Sequence, residues 1–296
     1  MTYDLNIPWP CNDYTRAPSS HNLINLKNTI VTNYSLGVTH QVINFTINDY
    51  VKIPLNTPDK INPIPVTNLL KELKPQFPKL RLFSRLTIVV NDSSKLPTLT
   101  KLTNHFDIIA VQPTNEKAFQ LTVLNLEVDL ISINLGSKLS FFLKHKVLNT
   151  AIEKGIKFEI NYSTLVSGDS GYSTNDTNVN MIKKNFFNNA IQLIRGVRSR
   201  GLVISSGAQN PLQLRNVNDI IILLSTLGLD KNKSKTFIIV NPERVLINGK
   251  LKSKSHRQTV VLNDENFVEE NNGQGYKKKL EDTSSGRLLK KRKVQS

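Results

Sequence analysis

The chain has 296 residues, 39% of them hydrophobic and 21% charged, and a formal net charge of +16 at pH 7. That apolar share supports one sizeable α/β domain or two small ones, and the charge points towards a polyanion, most often nucleic acid, as partner. One cysteine, Cys11, excludes an intramolecular disulfide, and the densest apolar run, Ile220 to Leu229, is too short to cross a bilayer.

The start of the chain shows no basic segment followed by an apolar stretch, so no secretory signal and a soluble intracellular protein are expected. A first strand is expected over residues 3–7. Leu23, Leu26, Ile30 and Tyr34 then recur at helical spacing, with Gly37 behind them to end the helix. A strand over 41–47 leads to a loop carrying Pro54, Pro58, Pro63 and Pro65, placed before a further helix. The run at 82–90 is nearly continuous in apolar residues, as in strands covered on both faces. Strands are expected again at 108–111, 130–133, 157–160 and 202–204.

Val147, Leu148, Ala151 and Ile152 mark a helix ended by Gly155. The polar, Gly/Asn-rich residues 167–180 read as an insertion; they lack the Gly-Lys-Ser/Thr ending of a phosphate-cradling loop. Ile182, Phe186, Ala190 and Ile194 define a long helix with Gly201 as its stop. Val217, Ile220, Leu224 and Leu227 define another, closed by Gly228. Last, Asn241 as cap, Pro242 at the first helical position and Gly249 as stop predict a short terminal helix.

Repeated β-then-α order requires a parallel sheet covered by helices, and seven or eight such units favour a barrel over an open sheet. The predicted architecture is an irregular TIM-like barrel over residues 1–249, with a basic tail over 250–296. The tail holds 12 basic and 6 acidic residues, leaving 27 and 17 in the body, a net of +10 there. The tail lacks apolar periodicity, so disorder is expected. Its Lys290, Lys291, Arg292 and Lys293 read as a nuclear import signal, against a chance cluster in a basic protein.

A barrel does its chemistry where strands end. Here those positions hold Asn6, Asn44, Asn91, Gln112, Asn134, Asn161 and Ser205, nearly all neutral amides or hydroxyls. Hydrolytic metal sites need His and carboxylate ligands, and the five histidines show no ligand-like spacing. Asp4 and Asn6, two apart, are expected on one face of the first strand. An acid–base pair of Asp4 with Asp92 stays open beside a structural role for both. Arg85, inside an apolar strand, is expected in an ion pair within the barrel.

For RNA or partner contact the candidates are Arg81, Arg85, Lys183, Lys184, Arg195, Arg198, Arg200, Arg215 and Arg244, with the ion pair the better reading of Arg85. Arg195, Arg198 and Arg200 equally suit the dipole at a helix C-terminus, and Lys183 and Lys184 a solvated helix face. Arg215, just past the seventh strand, stands where barrels present ligand-binding loops.

Phe83-Ser84-Arg85-Leu86-Thr87-Ile88-Val89-Val90-Asn91-Asp92 resembles the signature strand of the barrel-shaped protein subunit of nuclear ribonuclease P and ribonuclease MRP. The resemblance continues through residues 106–113, 127–131 and 151–160, through Val203-Ile204-Ser205-Ser206-Gly207-Ala208, and through 211–215 to 241–246. It implies a barrel related to the polymerase-and-histidinol-phosphatase phosphoesterases. In those enzymes an Asp-Leu-His-x-His motif on the first strand supplies two metal-binding histidines. The matching residues here are Asp4-Leu5-Asn6-Ile7-Pro8; neither histidine is present. The resemblance therefore implies a subunit that is no metal hydrolase and binds no cofactor itself. It would scaffold a catalytic RNA that needs divalent metal such as magnesium, beside a small ferredoxin-like protein subunit. The particle's implied reactions are removal of the 5′ leader from precursor tRNA and cleavage of precursor rRNA, in the nucleus and its nucleolus. The alternative is a stand-alone phosphoesterase using Asp4, Asp92 and Glu159.

Overall fold

The computed structural model describes residues 1–48, 61–91, 102, 104–167 and 176–254, all within the compact unit Met1–Val260. Each of the seven expected runs forms a strand: β1 (Tyr3–Pro8), β2 (His40–Asn48), β3 (Arg81–Val90), β4 (Ile108–Pro113), β5 (Leu130–Ser132), β6 (Lys157–Asn161) and β7 (Leu202–Ser205). Every neighbouring pair is parallel, and spatial order equals chain order. The sheet curls until the mouth ends of β7 and β1 meet. There the Gly207 N–H donates to the Asn6 carbonyl at 2.8 Å, and the Ser206 N–H donates to the Asp4 carboxylate at 2.9 Å. The result is a nearly closed seven-stranded barrel.

The two faces of the strands explain why the runs look continuously buried. Outward positions such as Ile43, Phe45, Leu86, Ile88, Ile109, Val111, Phe158 and Ile160 join the helices in one large apolar cluster. Inward positions Val42, Phe83, Ile108, Ala110, Leu130 and Val203 form a second, smaller cluster in the barrel's lower half. Fully burying a side chain such as Phe45 or Ile30 is worth about 1.5–3 kcal/mol each, so the outer cluster dominates the stability.

Helices α1 (Ser20–Ser35), α2 (Val66–Leu73), α3 (Glu116–Asn125), α4 (His145–Glu153), α5 (Ser163–Ser167), α6 (Asp176–Gly196) and α7 (Val217–Thr226) surround the strands. The Ser19 side chain caps α1 by accepting from the Asn22 N–H, and Gly37, Gly155 and Gly228 follow α1, α4 and α7 at positive φ as expected. Pro63 and Pro65 precede α2, while Pro54 and Pro58 lie outside the described residues. The sequence pattern passed over α3, whose start is fixed by Asn115 accepting from the Ala118 N–H at 2.8 Å. No described helix is long and apolar enough to cross a membrane.

Three expectations are corrected. First, α6 stops at Gly196, not at Gly201. The left-handed residues behind it are Arg198 and Ser199, each at φ 52°, and Gly201 instead leads into β7. Second, Asn241 caps nothing, because the chain is already helical from α8 (Lys231–Lys235) onwards. A wide turn over Thr236–Val240 follows, in which the Asn241 N–H reaches back to Thr236 O. Such widening accommodates Pro242, which lacks an N–H and crowds the preceding turn. Asn241 instead donates its side-chain amide to Leu202 O at 2.6 Å, pinning the helix to β7.

Third, Gly249 does not end α9 (Asn241–Lys254) but sits within it. A Cβ at that position would lie 2.0 Å from the Asp107 carbonyl oxygen, so only glycine lets the helix pass this close to the start of β4. Val245 and Leu246 of α9 pack with Tyr3, Val42 and Phe83, closing the barrel at the end opposite its mouth.

Candidate functional site

The mouth of the barrel is a polar depression of about 280 Å3, lined among others by Asn6, Asn44, Thr46, Thr87, Gln112, Ser132 and Asn161. Its floor is a directional hydrogen-bond chain across five strands. Thr87 Oγ1 donates to Asn44 Oδ1 (2.7 Å), Asn44 Nδ2 to Asn6 Oδ1 (2.9 Å), Asn6 Nδ2 to Asn161 Oδ1 (3.1 Å) and Asn161 Nδ2 to Ser132 Oγ (3.3 Å). Each carboxamide both donates and accepts a hydrogen bond, and Asn6 Nδ2 also lies 3.5 Å from Glu159 Oε2.

Beneath it lies the ion pair expected for Arg85. Its partner is Glu159, held at 2.5 and 2.7 Å through Nη1 and Nη2 of the guanidinium, with both side chains fully buried. Arg85 also donates to Leu5 O (2.9 Å) and to Thr87 Oγ1 (3.0 Å), which ties the pair to the ring above. Burial alone would raise the Glu159 pKa. The adjacent guanidinium outweighs that and holds the carboxyl below its usual range, so it is ionised at neutral pH.

Asp4 and Asn6 do not share a face, contrary to the alternation expected of a regular strand. The β1–β2 register shifts between Asp4 and Ile7, a bulge that sends Asn6 into the mouth and Asp4 towards α1. There Asp4 accepts from Asn33 Nδ2 (2.9 Å) and the Ser206 N–H (2.9 Å); burial still raises its pKa despite these bonds. The phosphoesterase set is thus not assembled from Asp4 and Glu159, and Asp92 lies outside the described residues. Among the described residues no three of His, Cys, Asp and Glu gather into a metal-sized group.

Of the predicted strand-end residues, Asn6, Asn44, Gln112 and Asn161 face the mouth. Asn91 accepts from Thr114 and Asn115 just past β4, and Asn134 lines a smaller adjoining pocket with Gln112, Ser132 and Asn161 while accepting from the Gly136 N–H at 3.0 Å. Ser205 is buried in the wall. The sequence reading missed Thr46, Thr87 and Ser132. Their signal was a polar residue at every second position towards the ends of otherwise apolar strands.

The basic candidates divide between the two ends of the barrel. Lys183 and Lys184 sit exposed near the mouth end of α6, whereas Arg195 lies twelve residues on, about 18 Å along the axis. Arg195, Arg198, Arg200 and Arg244 therefore belong to the opposite end. Arg200 donates to Asn149 Oδ1 at 2.9 Å. Arg244 faces Lys157; burial first and then this neighbour lower the Lys157 pKa. Arg81 stands at the same end, at the start of β3. On the mouth side, Arg215 folds back onto Leu212 O (2.8 Å) and Leu214 O (2.7 Å) and shapes its own loop. Lys290, Lys291, Arg292 and Lys293 lie outside the described residues.

Comparison with known proteins agrees with this architecture. "Ribonuclease P/MRP protein subunit RPP1" of Saccharomyces cerevisiae is 39% identical over 261 residues, 88% of this chain and 85% of the relative. "Probable ribonuclease P protein subunit 3" of Schizosaccharomyces pombe is 27% identical over 263 residues, 89% of this chain and 99% of the relative. A chain from the cryo-EM structure of archaeal ribonuclease P with mature tRNA shares the fold, with a TM-score of 0.57 at 20% identity over 89% of this chain and 98% of that one. The family model described as RNase P subunit p30 matches residues 1–254, the whole barrel through the end of α9, and the chain belongs to that family.

Proposed function

We propose that this chain is a non-catalytic, RNA-binding scaffold subunit of the ribonuclease P and ribonuclease MRP particles. The observation that carries this reading is the mouth itself. At the position where related barrels hold metal, Asn6 is bonded to two other carboxamides, and the nearest carboxylate, Glu159, is neutralised by Arg85. Those groups offer a hydrolytic metal neither negative charge nor free imidazole lone pairs.

In the particle the RNA would perform the hydrolysis, with magnesium bound by the RNA and not by this subunit. Its products would be precursor tRNA freed of the 5′ leader and processed precursor rRNA. A small ferredoxin-like protein subunit is the expected neighbour, and Lys290, Lys291, Arg292 and Lys293 would direct the chain to the nucleus and nucleolus. The body's net charge of +10, spread over both ends of the barrel, suits a subunit gripped by RNA on more than one side.

Recovery of the tagged chain from nuclear extract, followed by sequencing of bound RNA, tests the reading. Ribonuclease P and MRP RNAs are expected, and their absence would overturn it. The purified chain is also expected to release nothing from phosphoester substrates with magnesium, manganese or zinc. Turnover that survives repurification and is lost in Asp92→Ala would reinstate the phosphoesterase.

A further inference from the structure

At the end of the barrel opposite the mouth, the C-terminal ends of α6 and α7 flank a cleft of about 450 Å3, within the ~300–1,000 Å3 range of small-ligand sites. It is lined by Ile191, Ile194, Arg195, Arg198, Ser199 and Leu227, with Thr226 and Gly228 on the far lip. One wall is aliphatic, and the other carries two guanidinium groups. Both arginines are exposed, and among the described residues neither guanidinium has a hydrogen bond or ion pair.

The ordinary explanation for arginines at a helix end is that they satisfy its last carbonyls. Here backbone groups already do so. The N–H groups of Val197, Arg198 and Ser199 reach Leu193 O, Arg195 O and Ile194 O, and those of Leu227, Gly228 and Leu229 close α7 in the same way. Nor is Arg198 placed by helical geometry. It and Ser199 adopt φ of 52°, a left-handed conformation that non-glycine residues rarely accept, and this turn sets Arg198 on the cleft. Two unpaired cations, an aliphatic wall and a strained turn between them make a cleft suited to an anion that carries an apolar face.

We infer that this cleft takes one unpaired nucleotide of a single-stranded RNA segment. The base would lie against Ile191, Ile194 and Leu227, and its phosphate would be held by Arg195 and Arg198. The inference rests on the RNA-binding reading above and deepens it by naming where a single strand, as opposed to a duplex, is held. A guanidinium pair matches phosphate oxygens in a fork, and an extruded base can be held against apolar side chains. A duplex offers no free base to the cleft.

The test uses the full-length chain with an unstructured RNA octamer carrying one 4-thiouridine. Photocrosslinks are expected on peptides containing residues 191–199 or 226–228. Arg195→Ala with Arg198→Ala should weaken binding by about tenfold or more, the loss expected for two charge-assisted contacts. Lys71→Ala with Lys74→Ala removes the same charge from the end of α2 and should cost less than about threefold, a screened electrostatic effect. An octamer with an abasic site in place of the crosslinked nucleotide should bind more weakly than the intact strand.

Equal losses for the two pairs, or an abasic strand that binds as well, would overturn the nucleotide cleft while leaving RNA binding in place. Absence of any salt-sensitive RNA binding by the unmodified chain would remove the RNA-binding reading and the cleft together. Occupation of the cleft by an acidic, leucine-containing decapeptide, with no RNA crosslink there, would assign it to a protein ligand instead.

Discussion

Arg85 and Glu159 place two full charges in the barrel interior, and their value depends on each keeping the other. Glu159→Gln leaves a buried guanidinium without a counter-charge and is expected to cost about 3–5 kcal/mol in urea unfolding. Replacing both together, as Arg85→Met with Glu159→Leu, should recover most of that loss, because an apolar pair pays no desolvation. A double variant no more stable than Glu159→Gln would show that the pair does more than balance itself. The charge at Arg85 was legible in the sequence as an ion pair, since an arginine amid apolar strand residues demands a partner. The identity of the partner was not. Glu159 lies 74 positions away, and only closure of the barrel brings β3 and β6 face to face across its interior.

Among the elements, the strands were read from the sequence almost to the residue, because buried parallel strands are short, apolar and punctuated by polar turns. The C-terminal helix was not. Its Asn-Pro start and internal glycine look like a cap and a stop, yet the helix runs through both. Gly249 exists for contact with the Asp107 carbonyl, a neighbour 142 residues earlier in the chain. Gly249→Ala therefore separates the two explanations by sign. Helix propensity would stabilise by about 1 kcal/mol. The clash with rigid backbone should instead destabilise by about 1–3 kcal/mol, read as a lower Tm. A raised Tm would mean that α9 can move away from β4 without loss.

For the whole molecule, the important arrangement is that charge is gathered at the ends while the barrel interior is neutral in sum. At the end closed by α9, His40 packs against the Tyr3 ring at 4.8 Å and the Phe83 ring at 6.2 Å, and the Lys250 ammonium lies 5.1 Å over Phe83. Burial, then the charges of Arg81, the N-terminus and Lys250, lower the His40 pKa from 6.5 to about 4. An unfolded chain takes up that proton below about pH 6.5 and the folded one does not, so this group's contribution is lost as the pH falls from 6.5 towards 4. His40→Phe removes it, and the variant's Tm should decline less than the parent's across that window. Parallel declines would show that His40 does not govern acid sensitivity.

Composition, strand order and the missing first-strand histidines determined this protein's class. Hydrophobic period and residue type act locally and survive in one dimension, so a basic parallel barrel with an amide-lined mouth followed from the sequence alone. Tertiary structure decided the rest. A bulge in β1 chose which of Asp4 and Asn6 enters the mouth, ring closure chose Glu159 for Arg85, and the approach of α9 to Asp107 chose glycine at 249. Each of these depends on pairing with residues far along the chain, β1 with β2, Arg85 with Glu159 and Gly249 with Asp107, which packing sets and local pattern does not encode.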